Sequence, residues 1–335
     1  MLLLIFLAII LILVIYAIFG GPGLPEETDK IIEEAAKSDL SHVITGNTGY
    51  TQSDNVRIWF ECISPAGAPK ASILFCSGIT ADCFLWPPRF IKSFVDAGYQ
   101  VIRFDQRSTG LSDWTWNIRK PFLLTDMAKD AISVLNELKI EKAHILGLSM
   151  GGMVAQEIGI LFTERVSSLM LLSSTPNAMD LKLPGMKMRH LINVTIKRLP
   201  MVKYRVFGGE KNLAKERIAK EIEASGYKDL NIKELAELAI YDYRNRRGLN
   251  PKVMIHHMIA VIFTRSRYEL LKKVFVPALV VHPISDPLFP LAHGEKLVQL
   301  LLDSEKLWIN DTAHLFPFQN MEDVQSKIIN WLYDR

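Results

Sequence analysis

Past its first nineteen residues the chain alternates short apolar runs with stretches in which apolar residues recur every three or four positions. The runs "VRIWFECIS", "ASILFCSG", "YQVIRFD", "AHILGLS", "VSSLMLLSS", "PALVVHPIS" and "EKLWIND" read as strands, and "HVITG", around residues 43–46, reads as an eighth. Helical patterns such as "LLTDMAKDAISVLNELKI" and "LAHGEKLVQLLL" separate most of them. Near-continuous apolar strands alternating with helices predict an α/β architecture, a mainly parallel eight-stranded sheet flanked by helices. One region breaks the rhythm. From about Asn177 to Lys272 the chain shows helical patterns rich in Lys, Arg, Met and Leu, without a convincing strand, which predicts a helical cap inserted over the carboxyl ends of the strands.

The expected divisions are therefore an N-terminal apolar segment (1–22), a linker and approach to the first strand (23–47), the first half of the core (48–176), the cap (177–272) and the second half of the core (273–335). The apolar segment "MLLLIFLAIILILVIYAIF" has nineteen residues without a charge. That nearly matches the ~20 residues of a membrane-spanning helix, so it reads as a single-pass N-terminal anchor. A cleaved signal peptide is the alternative, but the basic start and small-residue cleavage site of such peptides are poorly met. The flank "EETDKIIEEAAKSD" is acidic, and acidic residues count little in orienting a span, so the side of the membrane stays open.

Composition narrows the partners. At 335 residues, 49% hydrophobic and 22% charged, the chain can bury a large core in one or two domains. A net charge of +3, with no basic block interleaved with aromatics, points away from nucleic acid. The three cysteines, Cys62, Cys76 and Cys83, are an odd number without C-x-x-C spacing, which indicates neither a zinc site nor a disulfide framework. Cys76 ends an apolar run and is expected to be a buried thiol.

The chemistry centres on "AHILGLSMGGMVAQEIG", where Gly147, Ser149 and Gly151 fit G-x-S-x-G between a strand and a helix. Glycines permit a sharp turn that lifts the Ser149 hydroxyl above the sheet. The backbone N–H of Met150 then lies at a helix N-terminus, where unpaired N–H groups favour negative charge. A serine nucleophile needs a base, and the base needs an orienting acceptor. Asp286 follows the penultimate strand in "SDPLFP", and His314 follows the last in "TAHLFP". Asp303 and Asp311 are rivals for the acid, but neither follows the penultimate strand. A second oxyanion donor is expected from the loop after "ASILFCSG", where Ile79 offers a backbone N–H and Gly78 allows close approach. Asp82, three residues on, reads as a helix cap rather than the acid.

With "VIRFDQRSTGLSD", "GLSMGG", the Trp86-Pro87 placement, "SDPLFPLAHGEKL" and "AHLFP" in this order, residues 48–335 resemble the α/β-hydrolase superfamily, and most closely the branch of anthracycline methylesterases and related carboxylesterases. The resemblance implies an α/β-hydrolase fold with Ser149 as nucleophile, His314 and Asp286 as its relay, Ile79 and Met150 as oxyanion donors, and Asp105 and Arg107 bracing the neighbouring loop. Ser77 stands where these enzymes often carry His, and Ser108 where they usually carry Gly. The implied reaction is two-step acyl transfer with no metal or organic cofactor.

The cap segment 181–209 has seven Lys/Arg and no Asp or Glu among many apolar residues. Beside a membrane anchor it could rest on anionic headgroups, which would make membrane lipid a partner and a hydrophobic or lipid-like ester the substrate. A lid that simply covers the core is the alternative. Two other functions share the same residues: a non-catalytic binding or scaffold protein on this fold, and a thioesterase or C–C hydrolase using the same triad. The sequence leaves the oligomeric state open.

Overall fold

The computed structural model describes residues 2–115, 117, 119–186, 188–225, 230–248, 250, 252–310, 312, 314, 321–333 and 335. Its centre is an eight-stranded sheet: β1 (Asn47–Ser53), β2 (Val56–Ile63), β3 (Ser72–Cys76), β4 (Gln100–Phe104), β5 (Ala143–Leu148), β6 (Val166–Leu172), β7 (Ala278–Pro283) and β8 (Ser304–Ile309). The strand order is β1-β2-β4-β3-β5-β6-β7-β8. β2 pairs antiparallel with β1 and β4, and the remaining neighbours are parallel.

The central strands β3, β5 and β7 are buried along their whole length, which is why they read as unbroken apolar runs. The edge strand differs. Residues Ser41–Val43 form a 3₁₀ turn, and the first strand is the polar "NTGYTQS", exposed along much of its length. A half-wet edge strand carries little apolar signal, so the pattern placed the first strand a few residues early.

Helices cover both faces. On one, Leu124–Glu137 and Met150–Leu161 pack over Leu74, Ile102, Ile145 and Leu169. On the other, Pro88–Asp96 and Glu322–Tyr333 pack over Ile73, Val101, Leu146 and Met170, with Phe75, Trp86, Phe90 and Phe94 in an aromatic cluster. Close packing of this kind holds the strand ends, and the loops leaving them, in fixed positions.

The chain divides into two compact units. Ile44–Gly185 and Arg247–Arg335 make the sheet unit, while Met1–Val43 and Met186–Arg246 make a helical unit. Among the described residues between 177 and 272 there is no strand. The helix Val253–Phe263, within the expected cap, belongs to the sheet unit and buries His256 and His257 there. In the helical unit, Thr28–Lys37, Gly209–Ser225 and Ile232–Asn245 pack on one another, with Lys211 to Glu33 and Arg244 to Glu210 at their surface (both 2.8 Å).

The expected membrane anchor is corrected. The apolar helix Leu2–Phe19 has 18 residues, a rise of about 27 Å against a hydrocarbon core of ~30 Å. Among the described residues no helix is long and apolar enough to cross a membrane. The C-terminal end of this helix is instead tied into the helical unit, where the Lys203 ammonium donates to the carbonyls of Ile18 (3.2 Å) and Gly20 (3.1 Å). Apolarity alone suggested a span; the described helices do not provide one.

Candidate active site

β5 ends at Leu148 and the next helix begins at Met150, leaving Ser149 alone in the turn with φ +55° and ψ −115°. A non-glycine residue there carries roughly 1–3 kcal/mol of backbone strain, so its surroundings must fix it. Two hydrogen bonds do so: the Ser149 N–H donates to the Leu172 carbonyl (2.8 Å), and the Ser174 hydroxyl donates to the Ser149 carbonyl (2.9 Å). The flanking glycines are a steric requirement. A Cβ on Gly147 would stand 2.3 Å from the Gly151 carbonyl oxygen, and one on Gly151 would stand 2.0 Å from that of Cys76. Backbone occupies both spaces and cannot give way.

His314 bridges the serine to the acid. Its Nε2 lies 2.9 Å from Ser149 Oγ and its Nδ1 lies 2.8 Å from Asp286 Oδ2. A carboxylate only accepts, so Nδ1 carries the proton and Nε2 presents a lone pair to the hydroxyl. Asp286, three residues beyond β7, is anchored through Oδ1 by the N–H groups of Leu288 (2.8 Å) and Phe289 (2.9 Å). Burial pushes its carboxyl up, but the His314 hydrogen bond and charge, together with those two N–H groups, hold it below the ordinary carboxylate range. The Phe289 ring stands edge-on to His314, with centroids 5.4 Å apart. Residues 313 and 315–317 of "AHLFP" lie outside the described residues, as does Asp311.

The loop after β3 approaches from the other side. Among the described residues the Ile79 N–H has no protein acceptor, and the Met150 N–H is the first donor of its helix. A Cβ on Gly78 would meet nothing closer than the Leu148 carbonyl at 3.6 Å and Ser149 Cβ at 3.8 Å. Protein packing therefore tolerates a side chain at Gly78. A methyl there would instead stand beside the Ser149 side chain. Ser77, at the position often held by His, is fully buried; its hydroxyl donates to the Asp82 carbonyl (2.9 Å) and accepts from Trp86 Nε1 (3.1 Å). Asp82 caps the turn Cys83–Leu85, accepting from the Phe84 N–H (2.9 Å).

Asp105 and Arg107 bond to neighbouring loops and a helix. Asp105 accepts from the N–H groups of Cys83 (3.1 Å) and Leu111 (2.8 Å), tying two loops together. Arg107 makes a two-pronged pair with buried Asp130, both bonds 2.6 Å. Ser108 has φ +69°, the conformation that favours glycine, and its side chain is used: the hydroxyl donates to the Thr115 carbonyl (3.1 Å) and lies 3.2 Å from His256 Nδ1.

Three contributors gave no sequence signal. Gln106 is buried and its Nε2 donates to the Ser77 carbonyl (2.6 Å). His282 is fully buried beneath Asp286, with Nε2 2.7 Å from the Phe289 carbonyl. His257 meets the loop at Thr80. Gln106 lies within "VIRFDQRSTGLSD" and His282 within the strand run "PALVVHPIS", but no role is read there for any of the three, and only the fold brings them near the site.

A strand-turn-helix serine, a histidine and a carboxylate in hydrogen-bonded series, all carried on loops at one end of a mostly parallel sheet, define the class. Residues 71–320 match the family model described as the alpha/beta hydrolase fold, and the chain belongs to that family of hydrolases. Among its relatives, rhodomycin D methylesterase DnrP of Streptomyces peucetius is 25% identical over 82% of this chain and 95% of the relative. 3-Oxoadipate enol-lactonase 1 of Acinetobacter baylyi is 23% identical over 84% of this chain and 93% of the relative. A thermophilic esterase from Thermogutta terrifontis superposes with a TM-score of 0.62 at 19% identity, covering 86% of this chain and 98% of that one, a likeness of fold.

Proposed function

We propose that this hydrolase cleaves carboxylic esters through an acyl-enzyme on Ser149. The observation that carries the reading is the position of His314, within hydrogen-bond reach of Ser149 Oγ (2.9 Å) and of Asp286 (2.8 Å) at once. Ser149 Oγ attacks the ester carbonyl carbon while His314 Nε2 takes the hydroxyl proton. The carbonyl oxygen, now anionic, is met by the N–H groups of Ile79 and Met150. Collapse breaks the C–O bond, and His314 returns its proton to the departing alcohol. Water then attacks the acyl-serine with His314 again as base, freeing the acid and restoring the hydroxyl. Asp286 keeps the imidazole in the required tautomer and stabilises its cationic form.

Within the ester class we propose hydrophobic, lipid-like substrates, a reading drawn from the composition of the segment 181–209. Support comes from its seven basic residues without an acid, and from the exposed Met188, Ile192 and Ile196, which lie one turn apart on the helix Met188–Arg198. The methylesterase and enol-lactonase relatives favour ester over amide cleavage. The test is a panel of purified esters from short-chain p-nitrophenyl esters to monoacylglycerol. Turnover lost in Ser149→Ala is expected throughout. A preference of orders of magnitude for short, water-soluble esters over monoacylglycerol would remove the lipid part of the proposal.

A further inference from the structure

The loop 77–80 holds a second strained residue. Thr80 is β-branched yet has φ +64°, a conformation such residues avoid and keep only where neighbours enforce it. Its N–H donates to Nδ1 of His257 (3.1 Å), a residue 177 positions away on the helix Val253–Phe263. The other ring nitrogen, Nε2, lies 3.1 Å from the Arg107 carbonyl. One tautomer satisfies both contacts, with Nδ1 accepting and Nε2–H donating. The ring is fully buried and held edge-on by Phe122 at 6.1 Å, so it has little freedom to turn. At the other end of the loop Gln106 fixes the Ser77 carbonyl (2.6 Å). Ile79 lies between these two fixed points.

We propose that His257 is a positioning residue for catalysis: by holding the Thr80 N–H it sets the direction in which the adjacent Ile79 N–H meets the developing oxyanion. The inference rests on the reading of Ile79 as an oxyanion donor. Burial depresses the imidazole to about 4, so the neutral, accepting form is in place at any neutral pH. A histidine that merely satisfied buried backbone groups would matter equally through both nitrogens. A positioning role singles out Nδ1.

Two isosteres separate the nitrogens. Asn places an amide oxygen where Nδ1 lies and keeps the contact to Thr80, whereas Gln reaches the Nε2 position and keeps the contact to Arg107. The experiment compares wild type with His257→Asn, His257→Gln and His257→Leu on a p-nitrophenyl ester, alongside amide hydrogen exchange of the peptide containing Thr80 and the melting temperature of each protein. Removing an oxyanion donor costs roughly 10²–10³ in kcat, and one left in place but misdirected should cost less. His257→Leu and His257→Gln are expected to lower kcat about 30-fold with KM within threefold, and to speed exchange at Thr80. His257→Asn is expected to recover kcat to within about fourfold, with slow exchange. Losses in all three variants that simply track melting temperature would overturn the proposal, as would recovery by Gln but not by Asn. If wild type turned over no ester while exchange still followed the Leu and Asn pattern, the ester-cleaving reading would fail and the catalytic role of His257 with it, although the clamp itself would stand.

Discussion

The two turns that face each other across the site are both strained, and they are held by different means. The Ser149 turn is fixed by backbone packed against backbone: the spaces where Gly147 and Gly151 would carry side chains are filled by the carbonyls of Gly151 and Cys76. The 77–80 loop has room for a Cβ at Gly78, and is fixed instead by the side chains of Gln106 and His257. A constraint written in glycines is local and visible in one stretch of sequence. A constraint written in hydrogen bonds depends on residues far apart in the chain. The first turn should therefore respond to substitution by losing stability, the second by losing rate.

The largest expected effect is chemical. Ser149→Ala should lower kcat for ester hydrolysis by about 10⁵-fold or more while leaving the melting temperature within a few degrees, because no packing is lost. Residual activity above 1% of wild type would remove Ser149 from the role of nucleophile.

Next come the glycines, which set the two turns directly against each other. Gly151→Ala should cost about 4 kcal/mol in urea unfolding, since the clash at 2.0 Å is with backbone. Gly78→Ala should cost less than about 1 kcal/mol in stability yet reduce kcat/KM at least tenfold, its methyl standing beside Ser149. If both variants lost stability alike, the distinction between the turns would collapse.

Acid should loosen the second turn. His257 and His144 are both held down to about 4 by burial, against an ordinary value near ~6.5. The unfolded chain then binds protons that the folded chain refuses, so their contribution to stability is whole above ~6.5 and is lost as pH falls toward 4, by up to about 3 kcal/mol for each residue. Urea unfolding at pH 7.5 and 4.5 measures the drop, and His257→Asn should show a smaller one. Equal slopes in wild type and variant would mean that His257 does not titrate as a buried neutral ring.

The smallest effect is expected at the far end of the loop. Gln106→Leu removes the contact to the Ser77 carbonyl and should cost about tenfold in kcat, equivalent to about 1.4 kcal/mol, with KM little changed. A larger loss in KM than in kcat would assign Gln106 to substrate binding.

The same contrast explains what could be read from the sequence. β3, β5 and β7 announced themselves because they are buried along their whole length, and the half-exposed β8 still carried an apolar run, whereas β1, polar and at the edge, was placed early. Ser149, Asp286 and His314 were legible because each follows an apolar strand in the expected order, and the structure brings their side chains into contact. The roles of Gln106, His257 and His282 were not legible, since a glutamine or histidine looks like any satisfied buried residue until the fold supplies its partners. The N-terminal helix failed in the opposite direction: its composition spoke strongly, but no described helix is long and apolar enough to cross a membrane.

Fluorophosphonate labelling of the full-length protein, with the modified residue located by mass spectrometry, tests the central claim most directly, because the reagent needs a serine that is both activated and reachable. The account predicts one adduct, on Ser149, lost in Ser149→Ala and strongly reduced in His314→Ala. Folded wild type that stays unlabelled, or an adduct on another serine, would contradict it.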